Sequence, residues 1–437
     1  YSTQGYSSIA IGYSAGYFGQ STGSIAMGFF PAQLSQGSQS IAIGWQTGNQ
    51  SQGSNAIAIG TQSGFTNQGT GAVAIGFQTG FEFQGDNSVA IGYSAGYSGQ
   101  GNYSVAIGYQ AGYSGQGASC LALGNNAGYI NQTTLSVALG AQSGQFAQGT
   151  GSIAIGYQSG QTLQAMQSVA IGLQSGQTNQ GTQSVAIGYQ AGAFSQAANN
   201  VAIGYQAAYT GQATQSVAIG NQAGNTKQGT QSIAIGYQAA RGTQGTQSVA
   251  IGCQAGQISQ GNNTVAIGFQ AGYASQNTSA VAIGYLAGQS NQGGNCVAIG
   301  NQAGAISQGA GGGITSYGIA IGTIAGRANQ NIYTVAVGYS AGSSSQGRSA
   351  VAIGELAGYS NQGQYSVAIG SNAGNISQGA WATAVGAFAG STGQQNYAVA
   401  IGSNAGAYSQ GQESVAIGSG AGYSGQNFRA IAIGSAA

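Results

Sequence analysis

The chain of 437 residues carries very little charge and no histidine: five basic and four acidic residues make up 2% of it. Globular domains carry roughly 25% charged residues, so electrostatics is not what folds this chain or keeps it soluble. Without histidine, most metal sites and nearly all catalytic triads are excluded. The four acidic residues offer no plausible general acid/base pair. We therefore predict no catalytic residues, no metal, no cofactor and no enzymatic activity.

Other scarcities exclude further classes of protein. A nucleic-acid-binding protein needs a basic stripe, and the five cations are too scattered to form one: Lys227, Arg241, Arg327, Arg348 and Arg429. No run of 18 apolar residues occurs, so we expect no insertion into a membrane. The three cysteines lie too far apart in the repeat for an intrachain disulfide bond.

What the chain does contain is a short internal repeat. Val-Ala-Ile-Gly or a close variant recurs 27 times at a spacing of 16 residues, from Ile9 to Val297 and, after an insertion, from Ile319 to Ile431. Such a period predicts an all-β fold: a parallel β-solenoid (β-roll) of 27 coils with a 16-residue repeat, forming a single array over residues 1–437. Six extra residues within 309–318 are predicted to loop out from a corner. Neither end shows a capping coil, so we expect a section of a longer array or end-to-end stacking.

The repeat is numbered here from position zero, the first residue of Val-Ala-Ile-Gly. Alternation along a strand places positions zero and two on one face, and we predict that these Val and Ile side chains point into the coil. Ala at position one then points outward, and its invariance predicts close packing against a neighbouring chain. The predicted oligomer interface consists of Ala10, Ala26, Ala42, Ala58, Ala74, Ala90 and Ala106.

Glutamine recurs at position eleven even where the neighbouring glycine is lost. Identical amides stacked at the spacing of the coils can hydrogen-bond along the axis. We therefore predict a buried or half-buried structural ladder, with ligand contact as the alternative. Its first members are Gln20, Gln36, Gln52, Gln68, Gln84, Gln100 and Gln116.

Position four is aromatic in about half of the coils. A surface aromatic column is predicted at Tyr93, Tyr109, Tyr157, Tyr189, Tyr205 and Tyr237. Stacked rings suit the binding of glycans, and they equally suit cross-coil pairing on an uncharged β surface. Both interpretations stay open.

The stretch Asn87-Ser88-Val89-Ala90-Ile91-Gly92 resembles the motif of trimeric autotransporter adhesin heads of the YadA type. The form from Gln183 to Gly192 is similar to repeats of phage and large-virus tail-fibre proteins. The resemblance covers essentially the whole chain through short motifs. It implies a parallel β-roll, left-handed and trimeric, that serves attachment.

These observations favour a structural fibre or filament subunit, a rigid homo-oligomeric shaft on a cell or virion surface. Its expected partner is itself, laterally and end to end, with glycans or a host surface as further partners. One alternative is an adhesin-like module that grips glycans through the Tyr columns. Another is an ice-binding solenoid, for which position thirteen offers a broken Thr array that includes Thr70, Thr150 and Thr182.

Overall fold

The protein is described by a computed structural model that covers residues 4–309 and 316–437. Strands and turns make up these residues; they contain no α-helix, and so none that could cross a membrane. Each coil pairs in parallel with the next at a shift of 16 residues, for example Val89 with Val105. The predicted all-β parallel solenoid with a 16-residue repeat is thus confirmed.

The chain divides into two compact units, residues 1–215 and 216–437. Each unit contains two parallel sheets, which we call the Val-Ala-Ile sheet and the Gln sheet after the residues that define their strands. In the first unit, the strands of the Val-Ala-Ile sheet are Ile9–Ile11, Ile25–Phe29, Ile41–Trp45, Ile57–Ile59, Val73–Phe77, Val89–Tyr93, Val105–Ile107, Leu121–Leu123, Val137–Leu139, Ile153–Ile155, Val169–Ile171, Val185–Ile187 and Val201–Ile203. In the second unit they are Val217–Ile219, Ile233–Ile235, Val249–Ile251, Val265–Ile267, Val281–Ile283, Val297–Ile299, Ile319–Ile321, Val335–Val337, Val351–Ile353, Val367–Ile369, Thr383–Val385, Val399–Ile401, Val415–Ile417 and Ile431–Ile433.

The Gln sheet is built from strands of two or three residues that each end at the position-eleven Gln. In the first unit they are Phe18–Gln20, Leu34–Gln36, Gln50–Gln52, Thr66–Gln68, Glu82–Gln84, Ser98–Gln100, Ile130–Gln132, Phe146–Gln148, Thr162–Gln164, Thr178–Gln180, Phe194–Gln196 and Thr210–Gln212. In the second they are Lys227–Gln228, Thr243–Gln244, Ser259–Gln260, Ala274–Gln276, Ser290–Gln292, Ile306–Gln308, Ala328–Gln330, Ser344–Gln346 and Ser360–Gln362. Single-residue bridges continue this sheet through Ser114 and, after residue 362, through Ile376, Thr392, Tyr408 and Ser424.

The insertion leaves the register of the second unit intact. Val297 pairs with Ile319, a shift of 22 residues, and the shift of 16 returns at once between Ile319 and Val335. The predicted loop itself lies mostly outside the described residues, since 310–315 are not among them.

The interior of the coil is made of small residues and Gln, which reverses the predicted orientation of the Val-Ala-Ile strands. Ala90 at position one has no exposed surface, whereas Val89 and Ile91 are partly exposed. The interior is thin: a Cβ added to Gly96 would lie 2.9 Å from Gln100 Oε1 and 3.2 Å from Ala90 Cβ. Such a space accepts a methyl group but not a β-branched side chain, so Ala points inward and Val and Ile point outward.

Glycine at position three forms the corner after each Val-Ala-Ile strand. Gly92 has φ +132°, and a Cβ there would lie 2.4 Å from the carbonyl oxygen of Gly108 in the next coil. A left-handed backbone and a close approach therefore both require glycine. Other turns use left-handed residues too, such as Ser94 (φ +49°) and Tyr103 (φ +59°). The left-handed backbone favours the Gly and Asn residues that occur at these positions.

Candidate interaction surfaces

The position-eleven Gln side chains cross the interior and tie the two sheets together. In Gln116, Nε2 donates to the carbonyl oxygen of Val105 at 3.1 Å and to Gln132 Oε1 at 3.0 Å. Gln116 Oε1 accepts from Gln100 Nε2 at 3.1 Å. The amide thus satisfies a strand carbonyl and also bonds to the next coil in each direction.

All seven Gln residues predicted for the ladder are buried, with at most 3% of their surface exposed: Gln20, Gln36, Gln52, Gln68, Gln84, Gln100 and Gln116. Amide-to-amide bonds join Gln52 to Gln68 and Gln68 to Gln84. The Oε1 atoms of Gln20 and Gln36 accept no such bond. The bond to the strand carbonyl is the more regular contact, as in Gln20 to Ile9 and Gln36 to Ile25, both at 2.8 Å.

The predicted Ala interface is wrong in its orientation. No surface is exposed on Ala26, Ala42, Ala58, Ala74, Ala90 and Ala106. Ala10, in the first coil, is the exposed member of the set. A side chain that is buried inside its own coil cannot contact a neighbouring chain. Its invariance reflects packing against Gly and Gln within the coil instead.

The outward face of the Val-Ala-Ile sheet is the apolar surface that each unit presents. We call the outward side chains of positions zero and two the Val/Ile stripe. At position two, 37% of Ile299, 38% of Ile353 and 40% of Ile401 are exposed, while the position-zero side chains are about half-buried. Long contiguous apolar surfaces of this kind mark interaction sites on soluble proteins.

The position-four aromatic residues lie on the surface, and some of them stack. Each of the six predicted members is between 40% and 51% exposed: Tyr93, Tyr109, Tyr157, Tyr189, Tyr205 and Tyr237. Ring centroids lie 5.1 Å apart for both Tyr93–Tyr109 and Tyr189–Tyr205. Tyr157 has Ala141 and Leu173 at the same position of the adjacent coils, so it lacks a stacking partner in its column.

A longer stack lies at position eight of the first unit. Five half-buried rings follow one another with centroids 4.9–5.0 Å apart: Phe65, Phe81, Tyr97, Tyr113 and Tyr129. Burial raises the pKa of the Tyr113 hydroxyl, and the neighbouring Tyr97 and Tyr129 raise it further.

A third aromatic column, at position fourteen, was not predicted. Its stacked pairs are Tyr317–Tyr333, Tyr365–Trp381 and Trp381–Tyr397, with the guanidinium of Arg348 over the ring of Tyr333 at 5.9 Å. The spacing of 16 from Tyr365 to Tyr397 is visible in the sequence. It is missed when aromatic residues are sought only at positions four and eight.

The remaining reactive side chains are dispersed. Cys120, Cys253 and Cys296 are all free thiols. Burial raises the pKa of the Cys296 thiol, against the lowering effect of backbone hydrogen bonds from Gly318 and Gly293. No group of three or more His, Cys, Asp or Glu side chains that could hold a metal ion occurs within 4–309 and 316–437. One ion pair, Arg429 to Glu413 at 2.7 Å, lies on the surface.

The fold and these surfaces define a class: a parallel β-solenoid with a small-residue interior, an outward apolar stripe and stacked surface rings. Six segments in the two units match the YadA head domain repeat, which is the repeat of trimeric autotransporter adhesin heads: residues 35–63, 84–96, 147–160, 180–207, 228–255 and 396–421. The predicted resemblance to YadA-like heads is thus confirmed for these segments, which make up less than half of the chain. No individual curated protein matches it.

Proposed function

We propose that this chain is the subunit of a homo-oligomeric fibre, a rigid β-solenoid shaft on a cell or virion surface. Its YadA head repeats support a surface location, because YadA-like adhesins are exposed on the cell surface. The same family and fold are typical of non-enzymatic proteins. The subunit associates laterally, with three chains side by side as in YadA-like heads.

The Val/Ile stripe is the observation that carries this proposal. Fully burying a Val or Ile side chain contributes about 1.5–3 kcal/mol, so covering the third that is exposed adds on the order of 0.5–1 kcal/mol per side chain. The stripe repeats in every coil of each unit, so these small terms accumulate. Because its residues carry no charge, a second copy of the same stripe fits it without burying an unpaired ion.

The experiment compares two triple variants by sedimentation equilibrium. Ile171→Lys, Ile187→Lys and Ile203→Lys place charges on the stripe. The matched control places them at position four of the same coils: Leu173→Lys, Tyr189→Lys and Tyr205→Lys. We expect the wild type and the control to sediment as three chains of 42.7 kDa each, and the stripe variant to shift towards one chain.

Circular dichroism of both variants verifies that the strands are retained. A wild-type protein that is monomeric at micromolar concentration would contradict the proposal. So would a control variant that dissociates as fully as the stripe variant. Cryo-electron microscopy of the wild type then tests whether oligomers join end to end into filaments.

A second candidate function is attachment to glycans through the stacked Tyr columns. It is favoured by rings that are both exposed and stacked, such as Tyr189 and Tyr205. A glycan array tests it with the double variant Tyr189→Ala, Tyr205→Ala against the isolated Tyr157→Ala. Loss of signal only in the double variant supports a stacked platform, and equal signals in both variants contradict it.

Ice binding, the third candidate, requires a flat and regular array of Thr side chains. Thr70, Thr150 and Thr182 instead lie in turns rather than on a strand. Thermal hysteresis of the purified protein is the measurement that decides this candidate, and its absence would dismiss the function.

A further inference from the structure

A surface groove of about 420 Å³ interrupts the position-eight face of the second unit. Position eight of four successive coils supplies Asn225, Arg241, Gln257 and Tyr273, and position nine supplies Thr226, Gly242 and Ile258. Equivalent residues of adjacent coils lie about 4.8 Å apart. The groove therefore offers four different side chains in a row along the coil axis, where the first unit has stacked rings.

Glycine at position nine creates the depression. Gly242 has no side chain between those of Thr226 and Ile258, and a Cβ there would lie 2.3 Å from the carbonyl oxygen of Ile258. The strands of the Gln sheet shorten to two residues in the same three coils, Lys227–Gln228, Thr243–Gln244 and Ser259–Gln260. In these three coils, the position-nine residue is therefore no longer part of a strand, and the groove lies there.

The groove is positively charged in a chain that has hardly any charge. Arg241 is exposed and makes no ion pair with the described residues. Lys227 lies in the preceding coil, and no Asp or Glu occurs between residues 87 and 354 of the sequence. An anionic group placed in the groove would therefore meet no carboxylate from the neighbouring coils.

One buried amide in the groove has an unused acceptor. Gln257 is 7% exposed, and its Nε2 donates to Gln238 Oε1 at 2.7 Å. That bond fixes the orientation of the amide, while Gln257 Oε1 accepts no hydrogen bond. A buried acceptor without a partner carries a desolvation penalty, which a hydrogen bond from a ligand hydroxyl would offset. In the next coil, Tyr273 is half-buried and lines the same groove.

The geometry points to a binding site for an acidic saccharide of at least two sugar units. A sugar carboxylate pairs with the Arg241 guanidinium. A sugar hydroxyl donates to Gln257 Oε1, and the apolar face of a further ring packs on Tyr273. Arg241 and Tyr273 are two coils apart, about 10 Å, so one monosaccharide does not reach both.

This site is independent of the proposed fibre. No residue of the Val-Ala-Ile sheet lines the groove, so association through the Val/Ile stripe leaves it open. Loss of saccharide binding without loss of oligomerisation, or the reverse, separates the failure of one proposal from that of the other.

Calorimetric titration of the full chain tests the site with a trimeric galacturonic acid oligosaccharide. The comparison ligands are the neutral galactose trimer, monomeric galacturonate and inorganic sulfate. We expect the acidic trimer to bind at least tenfold more tightly than any of these. Arg241→Gln is expected to weaken its binding by at least tenfold, since hydrogen bonds to charged groups are among the stronger ones.

Arg327→Gln is the matched control, because Arg327 is also an exposed Arg at position eight but lies between Ala305 and Ser343 of the adjacent coils. It should bind the acidic trimer as the wild type does. Tyr273→Ala should weaken the trimer but leave the monomer unchanged. The proposal is overturned by equal affinity for the neutral trimer, by equal affinity for sulfate, by an equal loss in Arg327→Gln, or by no binding of the acidic trimer.

Discussion

The two sheets of the coil have the same spacing and register, but they differ in regularity. In each unit, the Val-Ala-Ile sheet runs through every coil with strands of three or more residues. The Gln sheet narrows to single-residue bridges at Ser114 and again from Ile376 to Ser424. The first sheet depends on an inward methyl group and on backbone in tight contact, so position one is Ala and position three is Gly in every coil. In the second, a long amide spans the interior and holds the coil even where the strand shortens.

The largest effect is expected at the corner of the Val-Ala-Ile sheet. In Gly172→Ala, the new Cβ lies 2.7 Å from the carbonyl oxygen of Gly188, at φ +124°. The left-handed strain and the overpacking together are expected to cost about 2–5 kcal/mol. Hydrogen exchange of strands Val169–Ile171 and Val185–Ile187 measures it.

The control for this corner is Gly151→Ala. Gly151 also has a left-handed backbone (φ +66°), but its Cβ would meet nothing closer than 3.9 Å. We expect a loss of only about 1–2 kcal/mol. Equal losses in both variants would show that close approach of the coils contributes nothing at position three.

The next largest loss of stability is expected when a buried Gln of the Gln sheet is replaced. Gln116→Leu removes the amide that donates to the carbonyl oxygen of Val105 and to Gln132 Oε1. Each unsatisfied buried group costs about 1–3 kcal/mol, and burial of the apolar Leu side chain offsets part of this cost, so we expect a loss of about 2–4 kcal/mol in total. Urea unfolding measures the loss. Gln110→Leu is the control, because Leu286 and Leu356 already occupy position five in other coils; a similar loss there would refute the role of the amide.

A pair of substitutions with a smaller effect on stability tests which face of the Val-Ala-Ile strands points into the coil. Ala106→Leu overfills the interior, and we expect it to cost about 1–3 kcal/mol. Val105→Leu changes only the outward face, where Leu121 stands in the next coil, and should change stability by less than about 0.5 kcal/mol. Thermal unfolding of the two variants, run side by side, decides the orientation. If Val105→Leu lowered the melting temperature more than Ala106→Leu, the result would support the orientation predicted from the sequence, with Val and Ile pointing inward.

The last prediction is a small gain in stability from a substitution in the turn that joins the two sheets. Ile324 is a β-branched residue with φ +62° at position five, where most coils carry Gln, Ser or Asn. Asn adopts the left-handed region more easily, so Ile324→Asn should stabilise the second unit by about 1 kcal/mol. A rise of the melting temperature is the expected readout, and a fall would show that the Ile side chain packs usefully.

Much of this fold could be predicted from the repeat positions that carry the same residue in every coil. The 16-residue period predicts the parallel register that joins Val89 to Val105, and strict glycine at position three predicts the corner at Gly92. Repeat positions whose residue varies from coil to coil say less about the surface features. The position-eight groove at Arg241 depends on Gly242 in the adjacent column, and neither residue is unusual by itself. The position-fourteen stack around Trp381 depends on a turn whose outward direction is not readable from composition.

The sequence by itself determined the length of the coil, the in-register stacking and the need for small residues at fixed positions, because each of these repeats along the chain. Alternation established that Val and Ile share a face opposite Ala, but it is symmetric and does not say which face is inside. Only the tertiary structure decided that. Four or five left-handed residues in nearly every coil, together with a Gln amide, close the coil so tightly that a methyl group fits within it and an Ile side chain does not. The largest apolar residues are therefore left on the outside.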